Sequence, residues 1–269
     1  MELAYVFGTK ETNASVLGFR GEEDFIFSYL KENGYTAIEP FVRNPKLFDQ
    51  LEFSKKVEVS GLKIATIGTG PMVSDDKLTF TSKDQDIRRE AVKRVKDIID
   101  FASIFKVPVN IGKARGDIHE DLFIQSWQWM SDALNEACEY ADKSGIDIIL
   151  EPQNKHIINN LNTTFETMNF INELRLPNLK LMVDVFHLAF EDYSIEKSLS
   201  LIKEQLLHVH IADSNRLAPG IGDFDFTYII QQLESINYQG YLSLEVSEEK
   251  DRYKEAKEAS DFLHSIINR

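Results

Sequence analysis

Glu151, Asp184, His210 and Glu245 each close a short aliphatic run, in the contexts IILEPQN, LMVDVFH, LLHVHIADSNR and LSLEV. They lie 33, 26 and 35 residues apart, so no helical turn links them. They meet only if the runs that carry them lie side by side. Three carboxylates crowded at one rim repel one another and hold protons more tightly unless a cation neutralises them. With one imidazole nitrogen they make a mostly hard donor set, suited to Mn2+ first and also to Mg2+, Co2+ or Zn2+. The bland alternative is a salt-bridged polar rim with no ion. A cation held there would polarise a carbonyl and its neighbouring hydroxyl, making the adjacent C–H removable. Glu151 and Glu245 belong to runs that are not neighbours, so they can flank a substrate. One then removes a proton and the other returns it, through an enediolate.

The elements that must position these groups can be read along the chain. Eight apolar runs read as strands: 3–8, 36–41, 62–68, 107–112, 147–152, 179–184, 206–212 and 241–246. Their start-to-start steps are 33, 26, 45, 40, 32, 27 and 35 residues, and a strand, a helix and two loops need roughly 30. The gaps carry helical periodicity: Ile87, Ala91, Val95, Ile98, Ala102 and Phe105 recur at steps of three and four, as do Phe123, Trp127, Met130, Leu134, Ala137 and Ala141. Gly34, Gly61, Gly145 and Gly240 stand just before strands, where helices end. Eight alternations predict a (β/α)8 TIM barrel in a single domain over residues 1–269. An open doubly wound sheet is the rival, but GTKETNASVLGFRG after the first strand lacks the GxGxxG order of a dinucleotide fold. Strand parity agrees among the last four strands. Leu150, Val183, Leu207, Val209 and Leu244 share the helix-facing phase, while Glu151, Asp184, His208, His210 and Glu245 share the lumen-facing one.

Composition narrows the partners. The chain has 269 residues, 44 acidic against 30 basic, and a net charge of −14, which disfavours nucleic acid unless a local basic patch offsets it. No apolar run approaches the about 20 residues of a membrane span. The single cysteine, Cys138, can form no intramolecular disulfide and reads as a small core residue. With no basic, apolar leader in MELAYVFGTK, a cytoplasmic location is expected.

At this point the residues carry a family likeness. MVDVFHLAFED (182–192), HVHIADSNRLAPGIGDFDF (208–226), LEPQN (150–154) and SLEV (243–246) resemble strand-end motifs of the xylose isomerase-like TIM-barrel superfamily, in particular sugar (phosphate) isomerases and 3-epimerases of the tagatose/psicose type. In the N-terminal half GYTAIEPF and IGTG match more generally. The resemblance implies that Glu151, Asp184, His210 and Glu245 are the ligands of one divalent metal. It further implies that His187 and Arg216 contact substrate oxygens, and that the substrate is a carbohydrate handled by a dimer or tetramer. Two departures stand out. Where relatives carry an aromatic residue and then a glutamate after LEPxN, this chain has Lys155, His156 and Ile157, so one end of the sugar is recognised differently or His156 takes part. Where many have histidine after PGxG, it has Asp223.

Other positions keep two readings. His208 reads as a buried histidine supporting the rim, and Glu39 equally as its inner partner or as a solvated rim charge. The stretch 68–87 is long for a connection at this rim and reads as a lid. Lys113, Arg115 and His119 read as holders of a phosphate or carboxylate, or as members of a solvated loop. Three rival functions remain: a metal-dependent dehydratase of keto-inositol or dehydroshikimate type, an abasic-site endonuclease, which needs several zinc ions, and a sugar sensor without catalysis.

Overall fold

A computed structural model describes residues 1–247 and 250–267. Its strands are β1 (Glu2–Gly8), β2 (Ala37–Phe41), β3 (Lys63–Ile64), β4 (Ile67–Gly68), β5 (Val109–Ile111), β6 (Ile148–Leu150), β7 (Leu179–Asp184), β8 (Leu206–Ile211) and β9 (Tyr241–Leu244). All pair in parallel, and β1 pairs with both β9 and β2, which closes the cylinder. The helices are α1 (Glu23–Glu32), α2 (Gln50–Ser60), α3 (Gly70–Ser74), α4 (Gln85–Phe105), α5 (Phe123–Asp142), α6 (Thr164–Leu174), α7 (Val185–Glu191), α8 (Ile195–Ile202), α9 (Phe226–Ser235) and α10 (Arg252–Ile267). The fold is therefore a TIM barrel, as the strand spacing predicts. No helix among the described residues is long and apolar enough to cross a membrane.

β3 and β4 are two halves of the third stave. The break at Ala65 and Thr66 faces Pro108, which has no N–H to give; its carbonyl instead accepts from Thr66 Oγ1 and Ile67 N. The main core lies between cylinder and helices. It takes Leu3, Tyr5 and Phe7 from β1, Ile148 and Leu150 from β6, Leu181 and Val183 from β7, and Leu242 and Leu244 from β9. The predicted periodic faces fill its other side: Ala91, Val95, Ile98 and Ala102 of α4, and Met130, Leu134, Ala137 and Ala141 of α5. Cys138 is buried there as a free thiol, and burial pushes it up to about 12, so it stays protonated.

Two details differ from the sequence reading. A register shift between Leu181 and Met182 pairs Leu181 with Leu206 and Met182 with His208. Leu206 therefore takes the core place expected of Leu207, which is 36% exposed. Of the four glycines, Gly34, Gly61 and Gly145 do adopt positive φ. After α9 the left-handed residue is Asn237, and Gly240 serves another need: a Cβ there would lie 2.4 Å from the Tyr238 hydroxyl.

The stretch 9–20 folds back over the cylinder. Phe19 bridges to Phe7, with Gly8 N donating to Phe19 O and Phe19 N to Val6 O. This close approach depends on Gly18, whose absent Cβ would lie 2.3 Å from the Val6 carbonyl oxygen. Gly18→Ala is expected to lower stability by about 1–3 kcal/mol, seen as a lower urea midpoint at unchanged m; an unchanged midpoint would show that this segment docks loosely.

Candidate active site and metal centre

Closure brings the four strand-end residues together. Glu151 follows β6, Asp184 ends β7, His210 lies one residue before the end of β8, and Glu245 follows β9. One ligand atom from each lies within 4.8 Å of every other. Asp184 is also the N-cap of α7, accepting from Phe186 N at 2.8 Å, so strand end and helix start share one carboxylate. Asp184 and His210 are fully buried, Glu151 nearly so, and Glu245 partly.

His210 shows most plainly what the cluster is suited to hold. Its Nε2 faces Glu39, with both carboxylate oxygens at 2.9 Å. Its Nδ1 is buried with no hydrogen-bond partner, 3.5 Å from Glu245 Oε2 and 3.8 Å from Glu151 Oε1. An imidazole whose far nitrogen is held by a carboxylate, and whose near nitrogen faces three carboxylates unpaired, is arranged as a metal ligand. The donor chemistry therefore fits one divalent cation. Arg216 also reaches the cluster, pairing with Asp184 Oδ2 at 2.5 Å and with Glu245 Oε2, while its guanidinium lies 4.9 Å from the Phe186 ring centre.

The charges follow from burial and from these neighbours. Burial pushes Glu151 up to about 8; His210 opposes the shift, and Glu245 and Asp184 reinforce it. For Asp184 burial also acts upward, but Arg216, then His187 and His210, outweigh it and hold the group at about 2. His210 is raised well above the imidazole range because Glu39 and Glu245 overcome its burial. Glu39 is lowered far below the carboxylate range by His210 and His208 in spite of complete burial.

The supporting residues settle several open readings. Glu39 is fully buried and binds His208 Nε2 at 2.8 Å as well as His210, so it is the inner partner and not a rim charge. His208, lowered by burial, is the supporting histidine expected. His187 is buried, with Nδ1 2.8 Å from Asn154 Nδ2 and Nε2 3.9 Å from Asp184 Oδ2. Asn154 Oδ1 accepts from His156 N, which turns the amide so that its NH2 faces the imidazole. His187 Nδ1 is thus the acceptor, and its proton sits on Nε2, on the side of Asp184. Burial lowers this histidine and keeps it neutral.

Arg115 and His119 are not anion holders. Arg115 is fully buried and donates to the carbonyls of Gly112, Glu151 and Asn160 and to Asn160 Oδ1, so it braces the Glu151 backbone. His119 Nε2 contacts Thr81 O. Lys113 alone of the three lines the mouth, and it is exposed. His156 and Ile157 are also exposed, and neither lines the cavity. Asp213, buried and overlooked in the sequence, accepts from the N–H groups of Ser214, Gly220 and Phe224. It thereby ties down the loop that holds Arg216 at φ +63, a left-handed conformation costing about 1–2 kcal/mol. The stretch expected to be a lid contains α3 and continues into Asp75, whose oxygens each accept, at 2.8 Å, from Asn13 N and Ala14 N across the mouth. The cavity between them has a volume of about 90 Å³ and reaches Glu151 and Glu245.

A family model described as Xylose isomerase-like TIM barrel matches residues 27–266. The chain belongs to that family. Among its relatives, D-psicose 3-epimerase of Enterocloster bolteae is 26% identical over 247 residues, 90% of this chain and 80% of that one. The probable ketose 3-epimerase of Synechocystis is 24% identical over 84% of this chain and 79% of that one. Both are named as epimerases, a class of isomerase. The crystal structure of D-psicose 3-epimerase with D-tagatose from Clostridium cellulolyticum H10 superposes with a TM-score of 0.81 at 20% identity, covering 99% of each chain, which speaks to the shared fold.

Two expectations arise from this geometry. With Glu151 pushed up to about 8, the cation-free site carries a proton at neutral pH that a divalent ion must displace. Mn2+ uptake should therefore release protons from Glu151 and from His210, which is raised as well, and affinity should still be rising with pH as it passes about pH 8. Calorimetric titration in buffers of different protonation enthalpy reads this, and a flat affinity with no release would refute it. Glu39→Gln, which leaves His210 without its anionic partner, should weaken Mn2+ binding by about 10–100-fold; equal affinity in a folded variant would remove Glu39 from the centre.

Proposed function

We propose that this chain is a divalent-metal-dependent sugar epimerase of the ketose 3-epimerase type, moving a proton on a carbon next to the substrate carbonyl. The observation that carries the reading is the meeting of Glu151, Asp184, Glu245 and the unpartnered Nδ1 of His210 within 4.8 Å. These four residues would hold the ion, with Mn2+ the best match and Co2+, Mg2+ or Zn2+ also compatible with the donor set. Bound there, it supplies Lewis-acid stabilisation of negative charge on the substrate oxygens.

The chain's own residues do the rest. Glu151 and Glu245 reach the site from β6 and β9, with β7 and β8 between them. One takes the proton from one face of the sugar carbon and the other delivers one to the opposite face, which inverts the centre. Return to the former carbonyl carbon would instead shift the carbonyl along the chain, which at the chain end exchanges aldose and ketose. Gln153 Nε2 holds Glu151 Oε2 at 2.9 Å, and Arg115 holds the Glu151 carbonyl, so this carboxylate is aimed from two sides. His187 presents Nε2–H to a substrate oxygen. Arg216 can release Asp184 and Glu245 to a cation and turn to another oxygen. The relatives' names support epimerisation over dehydration. Among the described residues the two groups able to hold a metal share His210, which favours one ion over the several of an endonuclease.

The test is a set of ketoses with Mn2+ in deuterated water. Solvent deuterium should enter one carbon next to the carbonyl, without loss of water from the product. Glu151→Gln and Glu245→Gln should each lower kcat by on the order of 10²–10⁴-fold. Near-normal turnover by Glu151→Gln with metal bound would overturn the assignment, and a dehydrated product would point to the dehydratase.

A further inference from the structure

One wall of the mouth carries polar groups that metal holding and proton transfer leave unused. Asn110, at the centre of β5, points into the cylinder between Gly68 of β4 and Ile149 of β6. It is 4% exposed, and its Oδ1 is buried with no hydrogen-bond partner. Gln153, beyond β6, is 7% exposed; its Nε2 is committed to Glu151, and its Oε1 is likewise buried and unpartnered. An unpaired buried carbonyl oxygen costs about 1–3 kcal/mol. The two residues that carry them line one cavity with Glu151 and Glu245, which puts both oxygens beside the space a ligand would fill.

Both groups are held in place. Thr69 Oγ1 donates to the Asn110 carbonyl at 2.7 Å, and Asn162 Nδ2 donates to the Gln153 carbonyl at 2.7 Å. Between them stands Gly112, whose absent Cβ would lie 2.7 Å from Glu151 Oε2 and 3.0 Å from Gln153 Nε2. The missing side chain gives the Glu151–Gln153 pair its room.

We infer that Asn110 and Gln153 form a hydroxyl-reading subsite, resting on the epimerase reading above, and that the substrate presents an uncharged O–H there. The chemistry selects against an anion. The unpaired atoms, Asn110 Oδ1 and Gln153 Oε1, are acceptors, and a phosphate or carboxylate brings only more acceptor oxygens. Lys113 is the cation on this wall, and it sits exposed at the outer edge. A hydroxyl instead gives a proton to an oxygen that has none, and a site of this kind discriminates strongly against a substrate lacking the group.

The experiment compares the best ketose, its mono-deoxy analogues and its terminal phosphate on the Mn2+-loaded protein, reading kcat and KM from deuterium incorporation. On the native chain one deoxy analogue, altered away from the reacting carbons, should lose about 10–100-fold in kcat/KM, mostly through KM, and the phosphate should be the poorer substrate. In Asn110→Ala that penalty should shrink to within about 3-fold, and in Asn110→Ser, which keeps an acceptor, part of it should return. Should the alanine variant fail to fold, the serine variant and the native deoxy series decide. An identical deoxy pattern in native and variant proteins, or preference for the phosphate, overturns the subsite while leaving epimerisation intact. Absence of exchange with every ketose overturns the epimerase reading and the subsite together.

Discussion

Negative charge gathered at the mouth of a closed cylinder governs this molecule. Glu151, Asp184 and Glu245 converge where little water reaches them, and burial of like charges raises the cost of keeping all three ionised. The chain answers with protons and with its own cations. Glu151 is pushed up to about 8, Asp184 is held down by Arg216, and His210 is drawn toward the charged form by Glu39 and Glu245. A divalent ion held by Glu151, Asp184, His210 and Glu245 would meet the same electrostatic demand with a single group.

That centre depends on an inner layer of unusual composition for a barrel interior. Glu39, from β2, reaches across to two histidines of β8, so a fully buried carboxylate spans the lumen. A buried charge is tolerated when it is paired and hydrogen-bonded, and here the pairing also orients the ring that faces the rim. Below this layer Ala4, Ala37 and Ala65 pack as a small apolar plug. The cylinder thus grades from alanine at one end through a charged relay to the reactive mouth.

The loops at the mouth are braced more than lid-like. Asp75 joins the stretch after α3 to the 13–14 turn, and Asp76 pairs with Arg43 and Arg94. Asp213 closes the loop that holds Arg216, and Arg115 fixes the backbone of Glu151. Asp75, Asp213 and Arg115 are buried or half-buried charges satisfied largely by backbone groups, and Asp76 is one satisfied by two guanidiniums, which holds reactive side chains to a narrow geometry. Asn110 and Gln153 each keep an amide oxygen that no such brace pairs.

Sequence alone determined the repeating strand–helix order and the phase of the late strands, because apolar alternation and helical period are local properties of the chain. It also marked Glu151, Asp184, His210 and Glu245, since a polar residue ending an aliphatic strand has one place to point once the strand is in a barrel. Tertiary structure alone decided which charges meet. Glu39 and His210 are 171 residues apart, and nothing near either signals the other. Arg115 looked like a surface cation in a charged loop until packing buried it, and Leu207 lost its core place to Leu206 through a register shift that no alternation pattern records. Asn110 lies in the run 107–112 that reads as a strand, and only closure of the cylinder buried its amide oxygen beside the mouth without a partner. Pairing of buried polar groups is a property of the closed fold and not of any segment, so that is where the chain's pattern stops informing and its three-dimensional arrangement takes over.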